Sequence, residues 1–192
     1  MEEITRILDF IVEVEKLKNV HRKTKPTGLD RYENSAEHSW HVCLLALTLR
    51  EHANEPINID RVIRMLIIHD LGEIDVGDTI IYSSEAPELK AEEAEGVKRL
   101  LAYLPADQAE EYLALWYEFE AGETADSRYA RGIDRIPPIL QNINSDGHSW
   151  KTHNIPAESV YAVNSRIAKG SEAVWAVVKG KLDQAVADGL LK

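Results

Sequence analysis

The chain has 192 residues, 44% hydrophobic and 29% charged, which is enough to bury one sizeable core and short for two domains. Its formal net charge of -11 argues against a nucleic-acid polymer as partner, because such a surface repels phosphates. The start, Met1-Glu2-Glu3-Ile4, lacks the basic and apolar regions of a secretion signal, and no apolar run approaches the ~18 residues of a membrane span. With one cysteine, Cys43, set in the apolar run Val42 to Leu47, a single soluble cytoplasmic domain without disulfides is expected.

Apolar residues recur at helical spacing in almost every segment, with no sustained period-two alternation, so the expected fold is an all-α bundle spanning 1–192. Ile4, Ile7, Leu8, Ile11 and Val12 mark one face of a first helix that ends near residues 17–20. A basic loop with Pro26 and Gly28 follows, and Ser35 is placed to cap a second helix running to about His52. Asp60 is the expected cap of a third helix, whose Val62, Ile63, Met65, Leu66, Ile67 and Ile68 are apolar on more than one side and belong in the centre of the core.

Beyond Asp70 an acidic connection carrying Gly72 and Gly77 leads to amphipathic helices over 88–104 and 106–121. Pro105 separates them, and Leu113, Trp116 and Phe119 point inward. Residues 126–144 are helical in pattern but contain Pro137-Pro138, which predicts a break just after Asp134. A polar loop over 145–156 and one long closing helix over 157–182 complete the chain.

The residues that carry chemistry begin with His69-Asp70, an imidazole and a carboxylate side by side at the end of the most apolar helix. Burying such a pair is unfavourable unless something binds it. His38 and Asp134, each on a helix whose other inward residues are apolar, are the remaining candidates to converge with it. Neutral imidazoles and carboxylates form a mixed nitrogen and oxygen set suited to one divalent ion such as Mn, Fe, Co, Ni, Zn or Mg, with positions left open for water and substrate. Glu73, three residues after Asp70 and four after His69, falls beside that ion on a continued helix, placed to handle water. Lys16, Lys18, Arg22, Lys23, Lys25 and Arg31 fall within sixteen residues holding one acid, Asp30, either as a solvated loop or as a local anion site. His41, His148 and His153 are better read as flanking or surface groups, and His21 and His52 as exposed at element ends.

This arrangement resembles the HD-domain superfamily of metal-dependent phosphohydrolases, whose signature is a His, an adjacent His-Asp and a distant Asp. The motif here runs from His69 to Thr79, with upstream Glu33 to Ser39 and downstream Ile133-Asp134-Arg135, and is nearest to the 5'-deoxynucleotidase branch. The resemblance implies His38, His69, Asp70 and Asp134 as ligands of one divalent metal, and Glu73 and Asp78 as catalytic acids around the attacking water. It implies Arg22 as the phosphate-holding residue, with Lys18 and Arg31 as alternatives. It further implies a small nucleoside 5'-monophosphate as substrate and a homodimer. Close relatives carry a Trp after that Arg, which helps exclude the ribose 2'-hydroxyl; here Lys23 stands there, so deoxyribose selectivity is left open. Phosphodiester or triphosphate hydrolysis, and a non-catalytic metal-binding protein, are the alternative readings.

Overall fold

Residues 59–68 form the axis around which the rest is assembled. A computed structural model describes residues 1–80, 82 and 87–192, with Pro87 described by its backbone alone, and among these residues the elements are helical, with one isolated antiparallel bridge between His21 and Asn34. Helix α3 (Ile59–Ile68) packs against α2 (Ser35–Leu49), α6 (Ala106–Ala121) and α7 (Ala125–Asp134). Val62, Met65 and Leu66 are fully buried there. Ile67, expected in the core, is instead 55% exposed, because it shares an outer face with Arg61 and Arg64, which pair with Glu118 and Glu111 of α6. The cap is Asn58, whose side chain accepts from the Arg61 N–H at 3.2 Å; Asp60 lies in the first turn, where its charge faces the positive end of the helix dipole.

Helix α2 corrects a second expected cap. Asn34 accepts from the Glu37 N–H at 3.0 Å while Glu37 accepts from the Asn34 N–H at 2.8 Å, a reciprocal capping box that frees the Ser35 hydroxyl for other work. The helix tightens into a 3-10 turn at Arg50–His52, so its reach to His52 is as expected.

Helix α1 (Glu2–Val14) departs most from its sequence pattern. Phe10 is its buried residue, whereas Ile4, Leu8, Ile11 and Val12 are all more than half exposed, because the helix lies on the surface against a 3-10 turn (Glu15–Asn19) and α5 (Pro87–Leu101). The connection after Asp70 contains a short helix, α4 (Glu73–Val76), ended by Gly77 at φ 81°, a conformation that redirects the chain so that Asp78 returns to the site. The last part of that connection, residues 81 and 83–86, lies outside the described residues.

In α6, Leu115, Trp116 and Phe119 are buried and Leu113 only partly so. The expected break after Asp134 is present: α7 ends there, and α8 (Ile136–Asn144) starts with both prolines in its first turn, where their missing N–H groups are not needed. The expected polar loop holds a short helix, α9 (His148–Thr152). The expected closing helix is three: α10 (Ala157–Asn164), α11 (Ile167–Gly170) and α12 (Glu172–Ala187). The interruption follows from packing, since α11 meets α7 so closely that a Cβ on Gly170 would fall 2.6 Å from the Arg128 carbonyl oxygen, and Ser171 then caps α12.

Candidate active site

Three of the four expected metal ligands come from element ends. His69 and Asp70 follow the last turn of α3, and Asp134 is the last residue of α7, while His38 projects from the first turns of α2 and is fully buried. His38 Nε2 lies 2.8 Å from Asp134 Oδ1, and His69 Nε2 lies 3.4 Å from the same oxygen and 3.0 Å from Asp70 Oδ1. Donor atoms of His38, His69 and Asp134 lie within 4.8 Å of one another. Asp70 stands beside this trio and divides its carboxylate, with one oxygen toward His69 and the other accepting from Arg22 Nη1 at 3.0 Å.

His69 is oriented from behind, and His38 has a carboxylate behind it. His69 Nδ1–H donates to the Leu66 carbonyl at 2.8 Å, the Phe119 ring meets the imidazole edge-on, and Trp116 Nε1–H donates to the His69 carbonyl. His38 Nδ1 lies 3.3 Å from Glu33 Oε2. His69 Nε2 is buried between Asp70 and Asp134 oxygens but in no well-aligned hydrogen bond among the described residues, a nitrogen that a metal held between these groups would satisfy. The His38, His69 and Asp134 donors, with Asp70 beside them, therefore fit a metal cation.

Charge is as organised as geometry. Burial opposes protonation of His69, but Asp70 and Asp134 prevail and raise it to about 9. Burial likewise disfavours the Asp134 anion, yet contacts with His38 and His69 hold it well below the usual carboxylate range. Glu73 and Asp78 behave in the opposite way. Burial, then the neighbouring Asp70 charge, pushes Glu73 well above its ordinary value, while Arg22 and the Ser35 hydroxyl, which donates to Glu73 Oε2 at 2.6 Å, act against this. Burial raises Asp78 too, with Arg22 opposing.

Arg22 is the cation that joins these acids. Its Nη1 lies 3.0 Å from Asp70 and 3.6 Å from Asp78, and its Nε 3.5 Å from Glu33, so that despite burial the carboxylates hold it firmly protonated. A short extended pairing puts it there: Arg22 N–H donates to the Glu33 carbonyl, Glu33 N–H to the Thr24 carbonyl, and Ser35 N–H to the Val20 carbonyl. Lys18 and Arg31 are not brought to the site. Lys18 is exposed and pairs with Glu15, and Arg31 forms a two-pronged exposed pair with Glu37.

One cavity is lined by Arg22, His69, Asp70, Glu73, Asp78 and Asp134, closed on other sides by Trp116, Phe119 and α5. Three participants escaped the sequence reading. Glu33 is a buried carboxylate that contacts His38 and Arg22 and accepts from Gln141 at 2.5 Å, and Ser35 reaches Glu73. Arg135, named from sequence only as the residue after Asp134 in the downstream motif, lines the cavity wall, where burial lowers its affinity for a proton despite Asp134. Glu33 and Ser35 lie in the upstream motif, but nothing in its residue types separates orienting groups from linkers. Among the other histidines, His41 stacks on Trp40 and His148 meets Tyr32, both away from the cluster. Cys43 is half-buried, and burial pushes its thiol up to about 11, so it is inert at neutral pH.

A helical bundle that gathers a His, an adjacent His-Asp and a distant Asp around one cation-sized centre defines the HD class of folds. The chain belongs to the HD domain family, whose model matches residues 14–175. It is similar to the protein named 5'-deoxynucleotidase HDDC2 of Bos taurus, with 31% identity over 70% of this chain and 65% of that protein's length, so it spans just under two thirds of that relative. The 5'-deoxynucleotidase hdd1 of Schizosaccharomyces pombe is 28% identical over 59% of each chain. Among solved structures, a protein of Magnetospirillum magnetotacticum MS-1, named a predicted metal-dependent phosphohydrolase, superimposes with a TM-score of 0.94 at 43% identity, covering 99% of this chain and 96% of that one.

Proposed function

We propose that the chain is a metal-dependent phosphomonoesterase that hydrolyses (deoxy)nucleoside 5'-monophosphates to orthophosphate and a nucleoside. The observation that carries this reading is the meeting of the His69, Asp70 and Asp134 donors with Glu73, Asp78 and Arg22 at a single cavity, with His38 behind it against Asp134. The names of the similar proteins supply the substrate class. The four donors would hold one divalent ion, which supplies Lewis acidity toward a phosphoryl oxygen and makes water available as a nucleophile near neutral pH.

The protein's own residues do the rest. Arg22, held by Asp70 and Asp78, offers guanidinium N–H groups to the phosphate and offsets charge that builds on its oxygens in the transition state. Glu73, whose proton affinity burial raises, is a stronger base than an ordinary carboxylate, and Ser35 fixes one of its oxygens so that its anion accepts the proton of the attacking water. Asp78 orients that water across the same cavity. His69 is fixed by the Leu66 carbonyl and His38 by its Nε2 contact with Asp134, with the Glu33 carboxylate 3.3 Å behind it, so both Nε2 atoms face the centre.

The apolar stripe of Ile4, Leu8, Ile11 and Val12 supports a homodimer formed through α1, checked by light scattering. Among the described residues no helix is long and apolar enough to cross a membrane, and the inert Cys43 suits a proposed cytoplasmic setting. A screen of ribo- and deoxyribonucleoside monophosphates, cyclic nucleotides and triphosphates, each with Mn, Co, Mg, Zn, Fe and Ni, tests the reading. Orthophosphate released from 5'-monophosphates is the expected product. Tripolyphosphate or a linearised cyclic nucleotide would redirect it to another HD reaction, and no hydrolysis at all would favour a binding protein.

A further inference from the structure

Arg135 sits at the break between α7 and α8, buried to 7% exposure, and its Nη1 has no hydrogen-bond partner among the described residues. Burying a guanidinium is strongly unfavourable unless an anion and hydrogen-bond acceptors meet it. The neighbouring Asp134 carboxylate attracts Arg135, but its Oδ1 is bonded to His38 and lies close to His69, while Arg131 and Arg166 repel the guanidinium. With Nη1 unsatisfied among the described residues, this buried cation has a donor to offer a partner from outside the chain.

Its position says where that partner enters. Arg135 lines the cavity of the His-Asp centre and also a second cavity that adjoins it, and the two share Arg22, Asp78, Thr79, Asp134 and Arg135. Into the second cavity also face Lys23 and Thr24, and the Thr24 hydroxyl is buried without a hydrogen-bond partner among the described residues, as is Arg22 Nε. This space, about 80 Å³, holds several water-sized occupants and so a small anion. Two guanidinium groups, a lysine and an unused hydroxyl line one recess, together with the carboxylates of Asp78 and Asp134.

We propose that Arg135 is a substrate-binding residue: together with Arg22 and Thr24 it forms an anion subsite that grips the phosphate of the substrate where the two cavities join. That the anion is the substrate's phosphate rests on the phosphomonoesterase reading; that an anion binds there does not. A planar guanidinium offers paired N–H donors to two phosphate oxygens, which a lysine in its place matches in charge but not in geometry.

Inorganic phosphate is the probe, titrated by calorimetry and in thermal melts into the full-length, metal-loaded protein and its Arg135→Met and Arg135→Lys variants. The expected wild-type result is saturable binding with a rise in Tm. Arg135→Met weakens phosphate binding about tenfold to a hundredfold and loses the phosphate-dependent rise. Without phosphate it melts no lower than wild type, because a buried charge with an unsatisfied Nη1 has been replaced by an apolar chain of similar length. Arg135→Lys retains part of the affinity. With a nucleotide substrate, Arg135→Met raises KM by a similar factor while kcat changes less and bound metal is unchanged. The proposal is overturned if wild type binds no phosphate, if Arg135→Met keeps wild-type phosphate affinity, or if that variant unfolds or melts lower without phosphate, which would make the arginine a structural group. Because binding is read without turnover, a failed nucleotide screen and a failed anion subsite give different results.

Discussion

Arg22 and Arg31 belong to the same basic segment, and the structure puts them to opposite uses. Arg31 stays at the surface and closes a two-pronged pair with Glu37 that water and salt screen, so the pair adds little to stability. Arg22 is carried inside by backbone pairing with Glu33 and placed among Asp70, Asp78 and Glu33, where low polarity strengthens each contact and leaving any of them unpaired is expensive. Charge alone does not distinguish the two residues; burial does. A basic run in a sequence therefore names candidates, and the fold elects one.

The largest expected effect comes from dismantling the centre that Arg22 serves. Asp70→Ala removes a metal donor and the main anchor of Arg22 together, so bound metal measured by elemental analysis should fall to background and phosphate release by at least ~10³-fold. Glu73→Gln comes next, with metal retained and kcat lower by ~10²- to 10⁴-fold. The same change should raise stability at neutral pH. The folded-state value of Glu73 lies above its unfolded value, so its contribution is complete below about pH 4.5 and is lost as pH rises through the folded value, a loss glutamine does not suffer. Denaturant melts of both proteins across pH 4 to 8 would show it.

Arg22→Ala should cost ~10- to 100-fold in kcat/KM, whereas Arg31→Ala and Lys18→Ala should each stay within about twofold. Equal losses for Arg22 and Arg31 would erase the contrast. The smallest effect is in pH. In the metal-free protein, His69 is raised from 6.5 to about 9, so its stabilising contribution is full below pH 6.5 and lost as pH climbs past 9. Metal must displace that proton, so calorimetric titration at pH 7.5 in buffers of different ionisation heat should show proton release on metal binding.

The helical class, the break after Asp134 and the convergent His and Asp residues were legible because each follows from local chemistry: period, proline geometry and donor type. Less was legible where neighbours decide. Asn34 rather than Ser35 caps α2 because Glu37 completes a reciprocal pair, and the freed Ser35 is then spent on Glu73. The apolar stripe of α1 looked like core because periodicity reports an apolar face and says nothing about what covers it. Arg135 was not legible as a cavity residue because adjacency to Asp134 in sequence does not reveal that its guanidinium turns into the buried recess while the imidazoles meet Asp134 Oδ1.

The central claim is that the buried His-Asp centre and its acids hydrolyse a phosphomonoester, and one measurement meets it directly: orthophosphate release from a deoxynucleoside 5'-monophosphate by wild type and Glu73→Gln, with bound metal quantified in the same samples. The account predicts metal in both and orthophosphate from wild type alone. Equal phosphate release by the two metal-loaded proteins would contradict it.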